Sequence, residues 1–303
     1  MPRFDTSQTL RARLFVLMQY LLPQHLLSRL VMYLTRSRLP PLKRALIGAF
    51  VRHFHPRMDE ALESDPEQYP TFNAFFTRRL RPGARPVPSD PLAFASPVDG
   101  TVSQIGRLDA GRIVQAKGHD YRLEALLAAD PHWAARFLGG SFATLYLAPS
   151  DYHRIHMPLA GTLRAAWFVP GALFSVNAAT AAAVPGLFAR NERLVLIFAD
   201  GSLEWSLILV GALFVGSLTT VWHGDVVPGT RRRVSELPIT TAQAPLRLAQ
   251  GAELAHFNMG STVITLLPPG AADWDAGIGP GRVIRMGQTL GRLHAAPRPE
   301  PGT

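Results

Sequence analysis

The sequence predicts an α+β protein, with a β-rich domain preceded by short amphipathic N-terminal helices. Two observations carry this. From Leu10 to about Phe54 the apolar residues recur at helical spacing. Beyond the proline-rich connector RPGARPVPSDP the chain changes to short apolar and β-branched runs separated by Gly and Pro. No internal repeat is evident, and the expected division is a helical region at 1–69, a β-rich domain at 70–295 and a disordered tail at 296–303.

In the first region Pro23 and the Pro40-Pro41 pair cut the periodic pattern into three short helices. Arg11, Arg13, Arg29, Arg36, Arg38, Lys43, Arg44 and Arg52 set cations beside Leu, Phe, Met and Tyr, a composition suited to helices lying in a membrane interface. A helical layer covering the core, with its arginines in solvent, is the alternative. A further helix is expected from about Thr71 to Leu80. Strands are expected near Gly100–Ile105, Arg112–Ala116, Phe142–Leu147, Leu194–Phe198, Leu203–Val221 and Thr262–Leu267, with one helix near Tyr121–Ala129 among them.

The uncharged stretch from Trp205 to Gly224 has the length of a membrane span, but its β-branched residues and its interruptions at Gly211, Gly216, Ser217, Thr219 and Thr220 fit two buried strands better. The apolar run Leu14–Leu22 contains Gln19 and lacks a small-residue cleavage site, so no secretory signal is expected. With 303 residues the chain is long enough for a substantial core. It has no cysteine, which excludes thiol nucleophiles and thiolate metal sites. The net charge of +9 favours an anionic partner. Of the 31 basic residues only Lys43 and Lys117 are lysine, leaving two candidate attachment points for pyridoxal phosphate. Nucleic acid is not expected, because no recognised motif appears and the cations concentrate on apolar helices.

Three segments carry groups able to do chemistry. Ser261 follows Gly260 immediately before an apolar strand in HFNMGSTVITLLP. His153 and His156 lie three apart in LAPSDYHRIHMP, and Asp99 occupies an Asp-Gly turn in SPVDGTV. Each alone is ordinary: glycine turns use serine and aspartate routinely, and a histidine pair is often structural. Without an HExxH pattern or a third ligand nearby, no metal site is expected. Together they supply an acid, a base and a hydroxyl.

The combination resembles the phosphatidylserine decarboxylase family. Met259-Gly260-Ser261-Thr262 is similar to the family's self-processing LGST, Tyr152–Pro158 (YHRIHMP) to its histidine motif, and Ser96–Val102 to its aspartate motif. FFTRRLRPGARP from Phe75, QAKGHDYRLEALL from Gln115, PGALFSVN from Pro170, LFARNERL from Leu187, VGALFVGS from Val210 and IRMGQTLG from Ile284 extend the likeness, in order, over roughly residues 70–292. Departures are Met259 for leucine, and Gln250 and Ala255 where a lysine and a glycine are frequent.

The resemblance implies a proenzyme that cuts itself between Gly260 and Ser261, giving chains 1–260 and 261–303, with Ser261 converted to a covalent pyruvoyl cofactor. His156 is expected to activate the Ser261 hydroxyl, Asp99 to orient His156, and His153 to transfer a proton during decarboxylation. The implied substrate is phosphatidylserine in an anionic membrane, reached by a peripheral enzyme on the cytoplasmic side of the cell membrane, with homodimer formation left open. The competing reading is a lipid-directed serine hydrolase with a standing Asp99/His156/Ser261 triad, although no G-x-S-x-G elbow surrounds the serine.

Overall fold

Proline lacks an N–H and so fits the first turn of a helix better than its interior. In a computed structural model, which describes residues 6–116, 119–128, 131–214, 217–227, 233–239 and 245–294, helices α1 (Thr6–Leu21), α2 (Gln24–Thr35) and α3 (Pro40–Phe54) are separated as the prolines require. The expected tail lies outside the described residues, as does Lys117.

The helices are apolar on the outside. On α2 the buried side chains are Ser28 and Thr35, two turns apart, whereas Leu26 and Tyr33 are 66% and 71% exposed and Leu30 and Leu34 are also exposed. On α1, Gln19 is buried while Leu17, Met18 and Leu21 are exposed. The inward polar groups fasten the helices to the rest of the protein. Ser175 N donates to Gln19 Oε1 at 2.7 Å, Gln19 Nε2 donates to Thr180 Oγ1 at 3.3 Å, and Leu173 N donates to Gln24 Oε1 at 2.6 Å. No helix among the described residues is long and apolar enough to cross a membrane.

Helix α4 covers only Phe72–Phe76, half the length expected from the sequence. Thr71 caps its start by accepting from Ala74 N, and Thr77 Oγ1 donates back to Asn73 O as the chain leaves the helix. The turn lets Arg78, 3% exposed, donate to Ser150 O at 3.0 Å. Ile47 and Phe50 of α3 pack with Tyr69, Phe72, Phe75 and Phe76 in one apolar cluster.

The main sheet is antiparallel throughout. Its strands run in the order Ser235–Glu236, Gly161–Val169, Arg193–Asp200, Leu203–Val210, Ser261–Leu267, Ser141–Leu147, Gly100–Arg107 and Val283–Ile284, with Arg247–Leu248 also paired to Gly161–Val169. The Ser261–Leu267 strand is central and buried along its whole length, Val263 facing one core cluster and Ile264 the other. That burial explains why the strand carries no charged residue and its only polar side chains are the short hydroxyls of Ser261, Thr262 and Thr265. A second sheet orders Gly224–Val226, Leu218–Thr220, Glu253–Phe257 and Arg154–His156, and a third orders Ala93–Ala95, Thr289–Leu293 and Ala272–Trp274. The Trp205–Gly224 stretch contributes to two strands in two different sheets.

The expected helix near Tyr121–Ala129 is confined to Leu123–Leu127, because Tyr121 and Arg122 pair with the Arg112–Ala116 strand; Ala129 lies outside the described residues. A neighbouring helix at Pro131–Phe137, the nine-residue strand Gly161–Val169 and the Glu253–Phe257 strand were not anticipated.

Candidate active site

Two of the chemistry-bearing segments are hydrogen-bonded strands. Arg154–His156 pairs antiparallel with Glu253–Phe257, setting His156 opposite Glu253 and Ile155 opposite Ala255. The chain then turns through Asn258, Met259 and Gly260 and enters the main sheet at Ser261, which pairs with Leu147. The Gly260–Ser261 bond therefore sits where the backbone passes from one sheet to another. The third segment joins through His156 N, which donates to Pro97 O at 2.8 Å.

Ser261 is fully buried and its hydroxyl has no hydrogen-bond partner among the described residues. His153, also fully buried, lies beside the preceding residue: a Cβ built on Gly260 would be 3.7 Å from His153 Nε2. His153 Nδ1 is 2.9 Å from Asp151 O, and a carbonyl only accepts, so the proton is on Nδ1 and Nε2 presents a bare lone pair. That nitrogen has no partner either. Burial depresses His153 to about 3, with the hydrogen bond to Asp151 O opposing and the positive Arg78 reinforcing the shift. The imidazole is thus a neutral base held beside the Gly260–Ser261 bond.

His156 is committed elsewhere. Its Nδ1–H donates to Gly251 O at 2.8 Å, which leaves Nε2 to accept from the Tyr152 hydroxyl at 2.9 Å. Burial lowers its pKa as well. Asp99 does not hydrogen-bond to His156. It receives Arg85 Nε at 2.8 Å and Arg85 Nη2 at 2.5 Å, together with Met286 N at 2.8 Å. The side chains of Asp99 and Arg85 are 3% and 4% exposed, and Glu60 accepts from the same guanidinium at 2.7 Å. Buried carboxylates need such partners, and this one is satisfied without a histidine. Among the described residues no hydrogen bond joins Asp99 to His156 or His156 to Ser261, so the expected relay is not assembled here; the histidine beside Gly260 is His153, whose Nδ1 faces the Asp151 carbonyl.

Gly100 begins a strand, as expected from the run Gly100–Ile105, and a Cβ there would overlap the backbone oxygen of Tyr146. The Asp-Gly pair is explained by the close approach of the Ser141–Leu147 strand. Arg85, part of the RPGARP segment, had drawn no functional reading from its sequence context. Asp151 was equally hidden, since it acts through its backbone.

A cavity of about 250 Å³ opens beside the serine. Phe50 and Phe54 of α3, Phe76 and Phe214 line it with Gly260 and Ser261, and Ser175 and Asn177 add polar groups. Phe54 and Phe214 remain partly exposed at 37% and 41%. An apolar cavity with few polar groups, reaching from the buried Ser261 to partly exposed aromatic side chains, has the character of a site for an amphiphile.

Comparison with known proteins identifies the family. A sequence profile described as phosphatidylserine decarboxylase matches residues 72–292, and one described as PSD matches residues 14–55. The chain is 49% identical over 283 residues to a phosphatidylserine decarboxylase proenzyme of Stutzerimonas stutzeri, covering 93% of this chain and 95% of that protein. Proenzymes of the same name from Methylococcus capsulatus and Azotobacter vinelandii are 51% and 50% identical, covering 92% and 93% of this chain and 96% and 99% of theirs. These relatives support decarboxylation and not the serine-hydrolase alternative.

Proposed function

Because the chain belongs to the phosphatidylserine decarboxylase family, we propose that it is a proenzyme that cleaves itself at Gly260–Ser261 and then converts phosphatidylserine to phosphatidylethanolamine and CO2. The observation that carries this is the buried Ser261 hydroxyl at the head of the central strand, without a hydrogen-bond partner among the described residues, bordering the cavity and following Gly260, which faces the bare Nε2 of His153.

In the precursor His153 Nε2 takes the proton of Ser261 Oγ as the oxygen attacks the Gly260 carbonyl carbon. The C–N bond breaks, an ester forms, and the amine of residue 261 is freed. Loss of the residue 261 α-proton and rupture of its Cβ–O bond release the Gly260 carboxylate and leave dehydroalanine. Water then replaces its nitrogen, which departs as ammonia, and residue 261 becomes a pyruvoyl group. The site fits that group: it is buried, borders the cavity and has a neutral imidazole at hand. Once formed, the pyruvoyl group supplies a carbonyl that takes up the substrate amine and accepts the electron pair released with CO2. His153 is then placed to deliver the proton that replaces the carboxylate. In this assignment Asp99 and Arg85 form a buried ion pair bracing the Ser96–Val102 and Ile284–Gly291 segments, and His156 ties Tyr152 to Gly251.

The enzyme works at a membrane surface, on the cytoplasmic side, as a peripheral protein. The exposed apolar side chains of α1 and α2 enter the interface, the basic residues meet lipid phosphates, and the cavity bordered by Phe54 and Phe214 receives the headgroup. Intact-mass spectrometry of the purified protein beside Ser261→Ala tests the central reaction. Two wild-type chains are expected, the smaller starting at residue 261 with a pyruvoyl end, and one uncut variant chain. A folded wild-type chain that stays whole refutes the reading.

A further inference from the structure

We propose that Asn258, two residues before the cut, is a positioning residue for self-cleavage and that it links the cleavage turn to helix α2; this rests on the self-processing reading above. Asn258 is 3% exposed, and its backbone and side-chain polar atoms are engaged by neighbouring groups. Its backbone N donates to Ser217 O at 3.0 Å. Asn73 Nδ2 donates both to its backbone O at 3.2 Å and to its side-chain Oδ1 at 3.1 Å. Its own Nδ2 donates to Ser217 Oγ at 2.5 Å and to Thr219 Oγ1 at 3.0 Å.

These partners come from different parts of the fold. Asn73 lies on α4, which also supplies Phe76 against the His153 ring at a centroid distance of 4.2 Å. Thr219 belongs to the Leu218–Thr220 strand of the second sheet. Ser217 receives a further hydrogen bond at 2.9 Å from Arg36 Nη2, and Arg36, the C-cap of α2, also pairs with Asp225 at 2.6 Å. Such a clamp matters because the turn from Asn258 to Gly260 has no strand partner, yet it must hold the Gly260 carbonyl within reach of the next residue's hydroxyl. Intramolecular attack is steeply sensitive to alignment, and a displacement of about 1 Å can slow such a reaction about a hundredfold. The same network runs from the scissile turn to the end of a helix whose outer face is apolar, so seating of α2 and the rate of the cut are coupled.

The test is a time course of chain cleavage after cell-free synthesis of the full-length protein, with wild type, Ser261→Ala, Asn258→Asp, Ser217→Ala and Arg36→Ala in parallel. Asn258→Asp keeps the size and the acceptor facing Asn73 but removes both donated bonds. It is expected to cleave at least about tenfold more slowly than wild type, with Ser217→Ala and Arg36→Ala showing smaller decreases in that order. The slow chain should not be split faster by hydroxylamine, which cuts esters, because the impaired step precedes the ester. Because Asn258→Asp buries a carboxylate, the stability control is the neutral variant: introduced into uncut Ser261→Ala, Ser217→Ala should leave the thermal midpoint close to that of Ser261→Ala alone. Cleavage of Asn258→Asp at the wild-type rate, or rapid scission of the stalled chain by hydroxylamine, overturns the proposal. Should Asn258→Asp not fold, Ser217→Ala decides it, and a wild-type rate there overturns it equally. A wild-type chain that never cleaves overturns instead the self-processing reading on which the proposal stands.

Discussion

His153 Nε2 and Gly260 are neighbours, the nitrogen 3.7 Å from where a side chain on the glycine would begin, while His156 is bound to Tyr152 and Gly251. Removing the nearer imidazole is therefore expected to stop self-cleavage. His153→Gln should slow it by about 10²–10⁴, the usual contribution of a general base, whereas His156→Ala should still yield two chains. Gel analysis of freshly synthesised protein distinguishes them. An uncut His156→Ala beside a cut His153→Gln would return the base role to His156.

The acidity of His153 sets a pH profile. Since burial holds it near 3, Nε2 stays unprotonated through the mildly acidic range, and the cleavage rate should be flat from about pH 8 to about pH 5. An ordinary imidazole would halve the rate near pH 6.5. A fall with that midpoint, in rates measured by quenched time course, counts against His153 as the base.

Stability should move the other way from the flat rate. Between about pH 6.5 and the low folded value, the unfolded chain binds a proton at His153 that the native chain excludes, so acidification favours unfolding. His156, also depressed, acts in the same direction. Urea denaturation of Ser261→Ala should show lower stability at about pH 5.5 than at about pH 7.5. Equal stability at both would mean that the two imidazoles are not held neutral by the fold.

The Asp99–Arg85 pair is buried on both sides. Arg85→Met strands a carboxylate and is expected to destabilise Ser261→Ala by about 3–5 kcal/mol, whereas Arg85→Met with Asp99→Leu should recover much of the loss. Denaturant midpoints measure both. A single variant as stable as its parent would show that Asp99 has another partner or is protonated.

Interfacial binding should depend on the outward side chains of α2. Leu26→Gln with Leu30→Gln and Tyr33→Gln removes apolar groups that touch little of the protein, so sedimentation with acidic liposomes should fall sharply while the two chains still form. Undiminished sedimentation would place the membrane contact elsewhere.

Much of this molecule was legible in its sequence wherever one local cause dominated. Proline cut the three N-terminal helices where expected, and uncharged runs rich in Val, Ile, Leu and Thr such as Thr262–Leu267 marked the buried strands. The Gly161–Val169 strand escaped because Thr162 and Arg164 break its apolar pattern and its register shifts between Leu163 and Ala165. Helix α4 was overextended because a distant carbonyl at Ser150 draws Arg78 out of helical continuation. Within the site, Asp99, His153, His156 and Ser261 were found as residue types in recognisable motifs. Which histidine lies beside Gly260 was not legible, because that depends on pairing between strands about a hundred residues apart, and the group facing its Nδ1 is a main-chain oxygen.

The cut proposed between Gly260 and Ser261 lies at the passage between two sheets, which bears on how the molecule is made. The strand beginning at Ser261 has neighbours on both edges and core on both faces, so a free peptide of residues 261–303 would have to pry open an already closed sheet to reach its place. Synthesised as one polypeptide, that segment is delivered at the high local concentration a covalent leash provides. The bond at Gly260 is in this sense a scaffold strut, needed while the structure goes up and removed once the ladder on either side can stand without it. Two genes encoding the halves separately would lack both the leash and the peptide bond from which the reactive end is made.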